Sequence, residues 1–270
     1  MKEDQFSAFE HRGWERVAQP YHTFFGNLTI QSHCALLDAL AVRRGVRLLD
    51  VASGPGYLAA AAAQRGADVV GVDFADSMVD QARRIYPALT FRIGSAEDLP
   101  FPDDDFDAVG ISFGMLHFSH PEKAIEEAFR VLRPGGKVGF TVWASPDKAV
   151  GFSIVLKAIE THGRTDVQLP PGPPFFRFSD WAECERVLLD AGFREPRIEE
   201  VGQTLHARSP DALFEMLLRG GVRVSAMLNA QTPDALAAIS KTVRDGAAAY
   251  ASEDEVRIPM PCVLAYATKP

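Results

Sequence analysis

Short apolar blocks alternate with stretches of helical period between positions 47 and 143. Residues 47–51, 68–73, 90–93, 107–112 and 137–143 are rich in Val, Leu and Ile, which predicts buried strands. Between them, 57–65, 77–85 and 121–132 carry apolar residues at helix spacing. Gly66 is placed to end the first of these helices, Asp76 or Ser77 to cap the second, and Pro121 to open the third. Arg133, Pro134, Gly135 and Gly136 should end that third helix and turn into the next strand. Strand, helix, strand in this order predicts an α/β fold with a parallel sheet covered on both faces.

Outside this block the pattern changes. After a polar start, residues 14–40 read as helical, with Ile30, Cys34, Leu37 and Leu40 on one face, and should pack across the mouth of a ligand site. Residues 145–178 contain Leu169-Pro170-Pro171-Gly172-Pro173-Pro174, too rich in proline for a helix or central strand, and read as a lid insertion. A helix from Ser179 and Asp180 to Gly192, a strand at 197–201, helices at 210–219 and 233–250 and a closing strand at 258–268 complete the prediction. The expected organisation is one domain: a helical cap (1–45), a core (46–144), insertions at 145–178 and 205–255, and a last strand (256–270).

Composition narrows the partners. With 270 residues, 47% of them hydrophobic, one α/β domain can bury its own core. A net charge of −8 argues against nucleic acid or an anionic membrane surface, both of which call for a basic face. Cys34, Cys184 and Cys262 are far apart and odd in number, as expected of free thiols in a reducing compartment. No stretch reaches the ~18 apolar residues of a membrane span. A soluble, cytoplasmic protein is expected, with no membrane insertion; nothing in the pattern sets its oligomeric state.

The candidate chemistry begins at Leu48-Leu49-Asp50-Val51-Ala52-Ser53-Gly54-Pro55-Gly56, where a strand breaks at glycines before an Ala-rich helix. Such a turn lets backbone approach a nucleotide closely, and Asp73, ending the next strand, can accept from both ribose hydroxyls. Gly54, Gly56 and Ala59 also satisfy the loose dinucleotide pattern. Asp50 argues against that reading, because its charge at the mouth of the turn repels a pyrophosphate and attracts an ammonium or a sulfonium.

Further on come Gly94-Ser95-Ala96-Glu97-Asp98-Leu99-Pro100-Phe101, Phe106-Asp107-Ala108-Val109, Leu116-His117-Phe118 and Arg130-Val131-Leu132-Arg133-Pro134-Gly135-Gly136. In this order, with the Asp50 turn and Asp73, residues 21–143 resemble the class I S-adenosylmethionine-dependent methyltransferases, and among them the small-molecule enzymes of ubiquinone/menaquinone-biosynthesis type. The resemblance implies a Rossmann-like, doubly wound seven-stranded sheet whose last strand is antiparallel and lies beside the sixth. It implies S-adenosylmethionine as cofactor. Asp50, Ala52, Gly54 and Gly56 would surround its methionine end, Asp73 its ribose, and Phe74 and Met78 its adenine. Ser95, Ala96 and Glu97 would lie at the adenine edge, where Ser95 stands in place of the usual Asp, and Ser112 and Phe113 beneath the sulfonium.

His117 is the natural candidate for a general base, with Tyr21 and His22 as further catalytic candidates from the helix over the mouth. Each could instead serve packing. Phe175, Phe176, Phe178 and Trp181 form an acceptor wall or anchor the lid. Asp103-Asp104-Asp105 reads as a solvated turn, and no grouping has metal-ligand spacing. The expected activity is methyl transfer to a small, partly hydrophobic metabolite. The alternatives are a non-catalytic S-adenosylmethionine-binding protein and an NAD-dependent oxidoreductase.

Overall fold

In the computed structural model, which describes residues 4–270, helix α1 (Gln5–Phe24) leads through α2 (Gly26–Thr29) and α3 (His33–Ala39) into the sheet. There β1 (Arg47–Val51), α4 (Tyr57–Gln64), β2 (Asp68–Asp73), α5 (Asp76–Ile85), β3 (Thr90–Ile93), β4 (Phe106–Ser112), α6 (Pro121–Val131) and β5 (Leu132–Trp143) follow the predicted alternation. Then come α7 (Val150–His162), α8 (Trp181–Asp190), β6 (Arg194–Val201), β7 (Thr204–Ala207), α9 (Asp211–Arg219), α10 (Arg223–Asn229), α11 (Pro233–Ala248), β8 (Val256–Pro259) and β9 (Cys262–Thr268). The seven-stranded sheet has the order β3-β2-β1-β4-β5-β9-β6, and β9 runs antiparallel to both its neighbours. This is the Rossmann-like, doubly wound sheet with an antiparallel last strand beside the sixth.

Central strands are buried on both faces because helices cover both, and Leu48, Leu49, Val109 and Phe140 have no exposed surface. Glycine sets how closely α3 approaches. A Cβ on Gly139 would stand 2.9 Å from the Leu36 side chain, so the bare backbone is what admits that helix.

Several predicted boundaries move for identifiable reasons. The first helix begins at Gln5, capped by Asp4, whose Oδ1 accepts from the Phe6 amide at 3.0 Å; the polar stretch before Trp14 is therefore helix and not a free start. Neither Asp76 nor Ser77 caps α5. Its N-cap is Ala75, and the Ala75 amide instead donates to Asp73 Oδ1 at 3.0 Å. Arg133 to Gly136 lie within β5, because Gly135 and Gly136 exchange backbone hydrogen bonds with Lys269 just past β9. The segment 145–178, expected as a helical lid insertion, contains α7, whose inner face packs on α11 and β8. The closing strand divides into β8, paired with the unpredicted β7, and β9 in the main sheet. The unpredicted α10 lies between α9 and α11.

Candidate cofactor and acceptor site

The carboxyl ends of β1 and β4 diverge at the point where strand order reverses, and a cleft opens there. It encloses about 920 Å³, counting its open mouth, and Asp50, Ala52, Gly54, Asp73, Phe74, Met78, Ser95, Ala96, Glu97, Ser112 and Phe113 all line it. Of the twelve residues expected around a cofactor, Gly56 alone does not line it. Gly56 takes φ +85°, and a Cβ there would stand 2.6 Å from the Phe91 ring, so this glycine serves the packing of α4 against β3. Gly54, at φ +50°, has no atom within 4 Å of where its Cβ would be and leaves that side of the cleft free.

Two carboxyl groups give the cleft its character. Asp50 is 1% exposed; its Oδ2 accepts from the Ala59 amide at 2.9 Å, while Oδ1 has no protein partner. Burial pushes the Asp50 carboxyl up to about 8, with the nearby Asp73 adding to the rise. Asp73 accepts from the Gly54 amide at 2.8 Å and from that of Ala75, yet burial still holds it up at about 6. Such a pair favours a ligand that brings a cation and hydrogen-bond donors. Ala52 (φ +54°) and Phe113 (φ +56°), in the left-handed region that disfavours side chains, follow the ends of β1 and β4 and line the cleft, so two of the five strained non-glycine positions among the described residues lie there.

A second chamber of about 470 Å³, counting the space open to solvent, adjoins the first, sharing Trp14, Tyr21, Phe113 and His117 with it. Its other walls include Phe25, Trp143, Phe152 and Phe175, with Trp143 packed 4.3 Å from Phe113 between ring centroids. Tyr21 stacks on Phe25 at 5.6 Å, and burial pushes its phenol up to about 12, so it stays protonated. His117 sits in the 3-10 turn after β4, 15% exposed, with Nδ1 2.9 Å from Glu10 Oε2.

Other expected site residues lie elsewhere. His22 is exposed and hydrogen-bonded to the Tyr57 hydroxyl; one residue beyond Tyr21, it points about 100° further round the helix. Of the four proposed wall aromatics, Phe175 lines the second chamber. Phe178 is buried against Phe140, Phe176 packs on Phe152, and Trp181 is 47% exposed at the start of α8. Asp103, Asp104 and Asp105 pair with Arg130, Lys269 and Arg47. Among the described residues no group of His, Cys, Asp and Glu could hold a metal ion, no disulfide forms, and no helix is long and apolar enough to cross a membrane.

Residues the sequence did not single out complete the site. Ser7 and Trp14 share one face of α1 with the expected Tyr21, at seven-residue intervals, a signal hidden because the helix is predicted to begin only at Trp14. His33 lines the cleft with Nε2 3.2 Å from Ser112 Oγ, and burial lowers it to about 4, so it is neutral. Glu10 and Arg223, distant in sequence, meet beside His117.

Known proteins resemble this chain in sequence and in fold. Residues 49–140 match the family described as a methyltransferase domain, and residues 4–91 match protein-L-isoaspartate(D-aspartate) O-methyltransferase. A demethylmenaquinone methyltransferase of Beutenbergia cavernae is 45% identical over 112 residues, which cover 42% of this chain and 47% of that one. The chain thus spans about half the length of the curated relatives it matches. Among solved structures, a Thermotoga maritima protein described as a SAM-dependent methyltransferase, possible histamine N-methyltransferase, superposes with a TM-score of 0.57 at 18% identity, covering 97% of this chain and 100% of that one. Phosphoethanolamine N-methyltransferase 2 of Haemonchus contortus, in complex with S-adenosyl-L-methionine, gives 0.60 at 21% identity, covering 100% of this chain and 61% of that one. At such identities the structural likeness establishes the fold. Residues 49–140 thus match a methyltransferase domain, and the whole chain has the fold of the methyltransferases it superposes on. The residues of the cleft fit S-adenosylmethionine, since Asp50 Oδ1, buried without a protein partner, is an acceptor that a donor such as a methionine ammonium would satisfy.

Proposed function

We propose that this protein transfers the methyl group of S-adenosylmethionine to a small, partly apolar metabolite seated in the aromatic chamber. The observation that carries the reading is the junction: an acidic cleft with an unpartnered buried carboxylate opens, past Phe113 and His117, onto an apolar space of its own. The cofactor supplies an electrophilic methyl on a good leaving group. The chain's part is to bind both reactants, align them and exclude water.

In this reading Asp50 receives the methionine ammonium and Asp73 the ribose hydroxyls, each Asp73 oxygen keeping a lone pair beyond its backbone donor. Phe74 and Met78 flank the adenine, Ser95, Ala96 and Glu97 meet its edge, and Ala52, Ser112 and Phe113 surround the sulfur. Tyr21 closes the junction between the two spaces. Residues 145–178 and 205–255 are insertions in a single domain, and the free cysteines support a reducing, cytoplasmic setting. Relatives named for demethylmenaquinone make a quinone-like ring the first acceptor class to test.

A calorimetric titration with S-adenosylhomocysteine, run beside NADH, tests the cofactor. Micromolar binding of the first alone is expected, and binding of NADH alone or of neither would sink the proposal. A metabolite panel then separates an enzyme from a non-catalytic binding protein, for which no acceptor would be methylated.

A further inference from the structure

We propose that Glu10 is a positioning residue that holds His117 as general base, and that the chamber therefore takes an acceptor bearing an aromatic hydroxyl. The inference rests on the methyl transfer proposed above and gives it a substrate class. Glu10, on α1, has no exposed surface. Its Oε2 accepts from Trp14 Nε1 at 3.2 Å and lies 2.9 Å from His117 Nδ1. A carboxylate only accepts, so this contact calls for a proton on Nδ1, and in the neutral imidazole the lone pair is then on Nε2.

Among the described residues, the ion pairs at this site involve two elements besides the turn that bears His117. Glu10 belongs to α1, and Arg223 opens α10 with its Nε 4.0 Å from Glu10 Oε1. Two rings also pack on the imidazole, Trp14 at 4.7 Å and Phe175 at 6.2 Å between centroids, both edge-on. Burying a carboxylate among aromatics is costly unless it has a cation and donors: Oε2 has Trp14 and His117, while Oε1 has the Arg223 charge at 4.0 Å and no hydrogen bond. Arg223 is anchored in turn by donation to the Pro173 carbonyl at 2.9 Å and by the Phe175 ring, 5.5 Å below its guanidinium.

This arrangement selects among acceptors. A neutral amine attacks with its own lone pair and needs no base beforehand, whereas a phenol must lose its proton. Among the described residues lining the chamber, His117 is the group able to take one, since Tyr21 is held protonated and Arg223 is cationic. Flat aromatic walls complement a flat ring, and Arg223 offers a positive charge to an oxygen turning anionic. The acceptor O–H proton passes to His117 Nε2 as the oxygen bonds to the methyl carbon. The bond from that carbon to sulfur breaks, its electron pair staying on sulfur, and the imidazolium later returns the proton to water.

The test uses the full chain labelled with nitrogen-15 histidine, first alone and then saturated with S-adenosylhomocysteine. His117, assigned by its loss in His117→Gln, is expected as the Nδ1–H tautomer, with a mixture of tautomers in Glu10→Gln. Activity is then read on substituted phenols of graded acidity. His117→Gln should lower kcat/KM about 10²–10⁴-fold for phenols protonated in the buffer, and Glu10→Gln at least about tenfold, both losses shrinking toward phenols already ionised. A wild-type Nε2–H tautomer, an equal loss across the series, or transfer to amines but to no phenol would overturn the proposal. Failure to bind S-adenosylhomocysteine would instead overturn the methyl-transfer reading beneath it.

Discussion

Asp50 and Asp73 end adjacent strands with their carboxyl groups turned out of water, and their titration should be visible in the stability of the ligand-free protein. Both are raised above the ordinary carboxylate value, to about 8 and about 6. A raised acid favours the folded state at low pH, and that contribution is lost as pH climbs through the folded value. The ligand-free protein should therefore lose stability between pH 5 and 8, by up to about 1.4 kcal/mol per pH unit for each group still titrating. Thermal melts across this range would show the slope, and Asp50→Asn should flatten its upper part; a profile unchanged by that substitution would mean that Asp50 does not titrate there. Asp73→Ala should weaken S-adenosylhomocysteine binding by about 1.5–3 kcal/mol, measured by calorimetry, as expected for hydrogen bonds to a charged group. Asp50, Gly54 and Asp73 were legible as a site because one strand-turn-helix unit and the next strand end hold all three. Gly54 and Gly56 were not told apart, since the ring that fills the space beside Gly56 is Phe91, on another strand.

Helix α1 shows how one element serves both spaces. Its face bearing Ser7, Trp14 and Tyr21 covers the cleft, and its Gly13 lies so close to Val222 that a Cβ would stand 2.3 Å from a Val222 methyl. Gly13→Val should push the helix off the segment that leads into α10. We expect KM for the acceptor to rise at least about tenfold, with S-adenosylhomocysteine affinity changed by less than about threefold, because most of the cleft lies on the strand ends. Equal losses in both would mean that α1 matters as much to the cofactor as to the acceptor. Strand and helix identities in the core were readable because each is set by local period and by punctuation such as Gly66 and Pro121. The short β7 and α10 were not, because their packing against β8 and α9 stabilises segments too short to declare themselves.

The whole molecule joins a parallel core to helices from both ends of the chain. Gln31, in the N-terminal helices, exchanges hydrogen bonds of 2.9 Å each way with the backbone of Thr204, and Gln203 donates to the Leu28 carbonyl at 2.8 Å. The N-terminal helices are thus stitched to the start of β7, in the second, two-stranded sheet. Saturation with S-adenosylhomocysteine at about 100 times its Kd should stabilise the fold by about 2.7 kcal/mol and raise Tm by about 5–10 °C. Differential scanning fluorimetry checks this, and no rise at saturation would contradict binding to the folded state. By itself the sequence determined the alternating core, the nucleotide-type turn and the acidic residues that frame it, because these depend on period-two and period-3.6 patterns and on turn chemistry within about thirty residues. The tertiary structure decided that His22 faces solvent while Tyr21 faces the cleft, that a buried Glu10 meets His117 and Arg223, and that an aromatic chamber adjoins the cofactor cleft. Those contacts join side chains some one to two hundred residues apart, and only the packing of α1 and α10 around the strand ends brings them together.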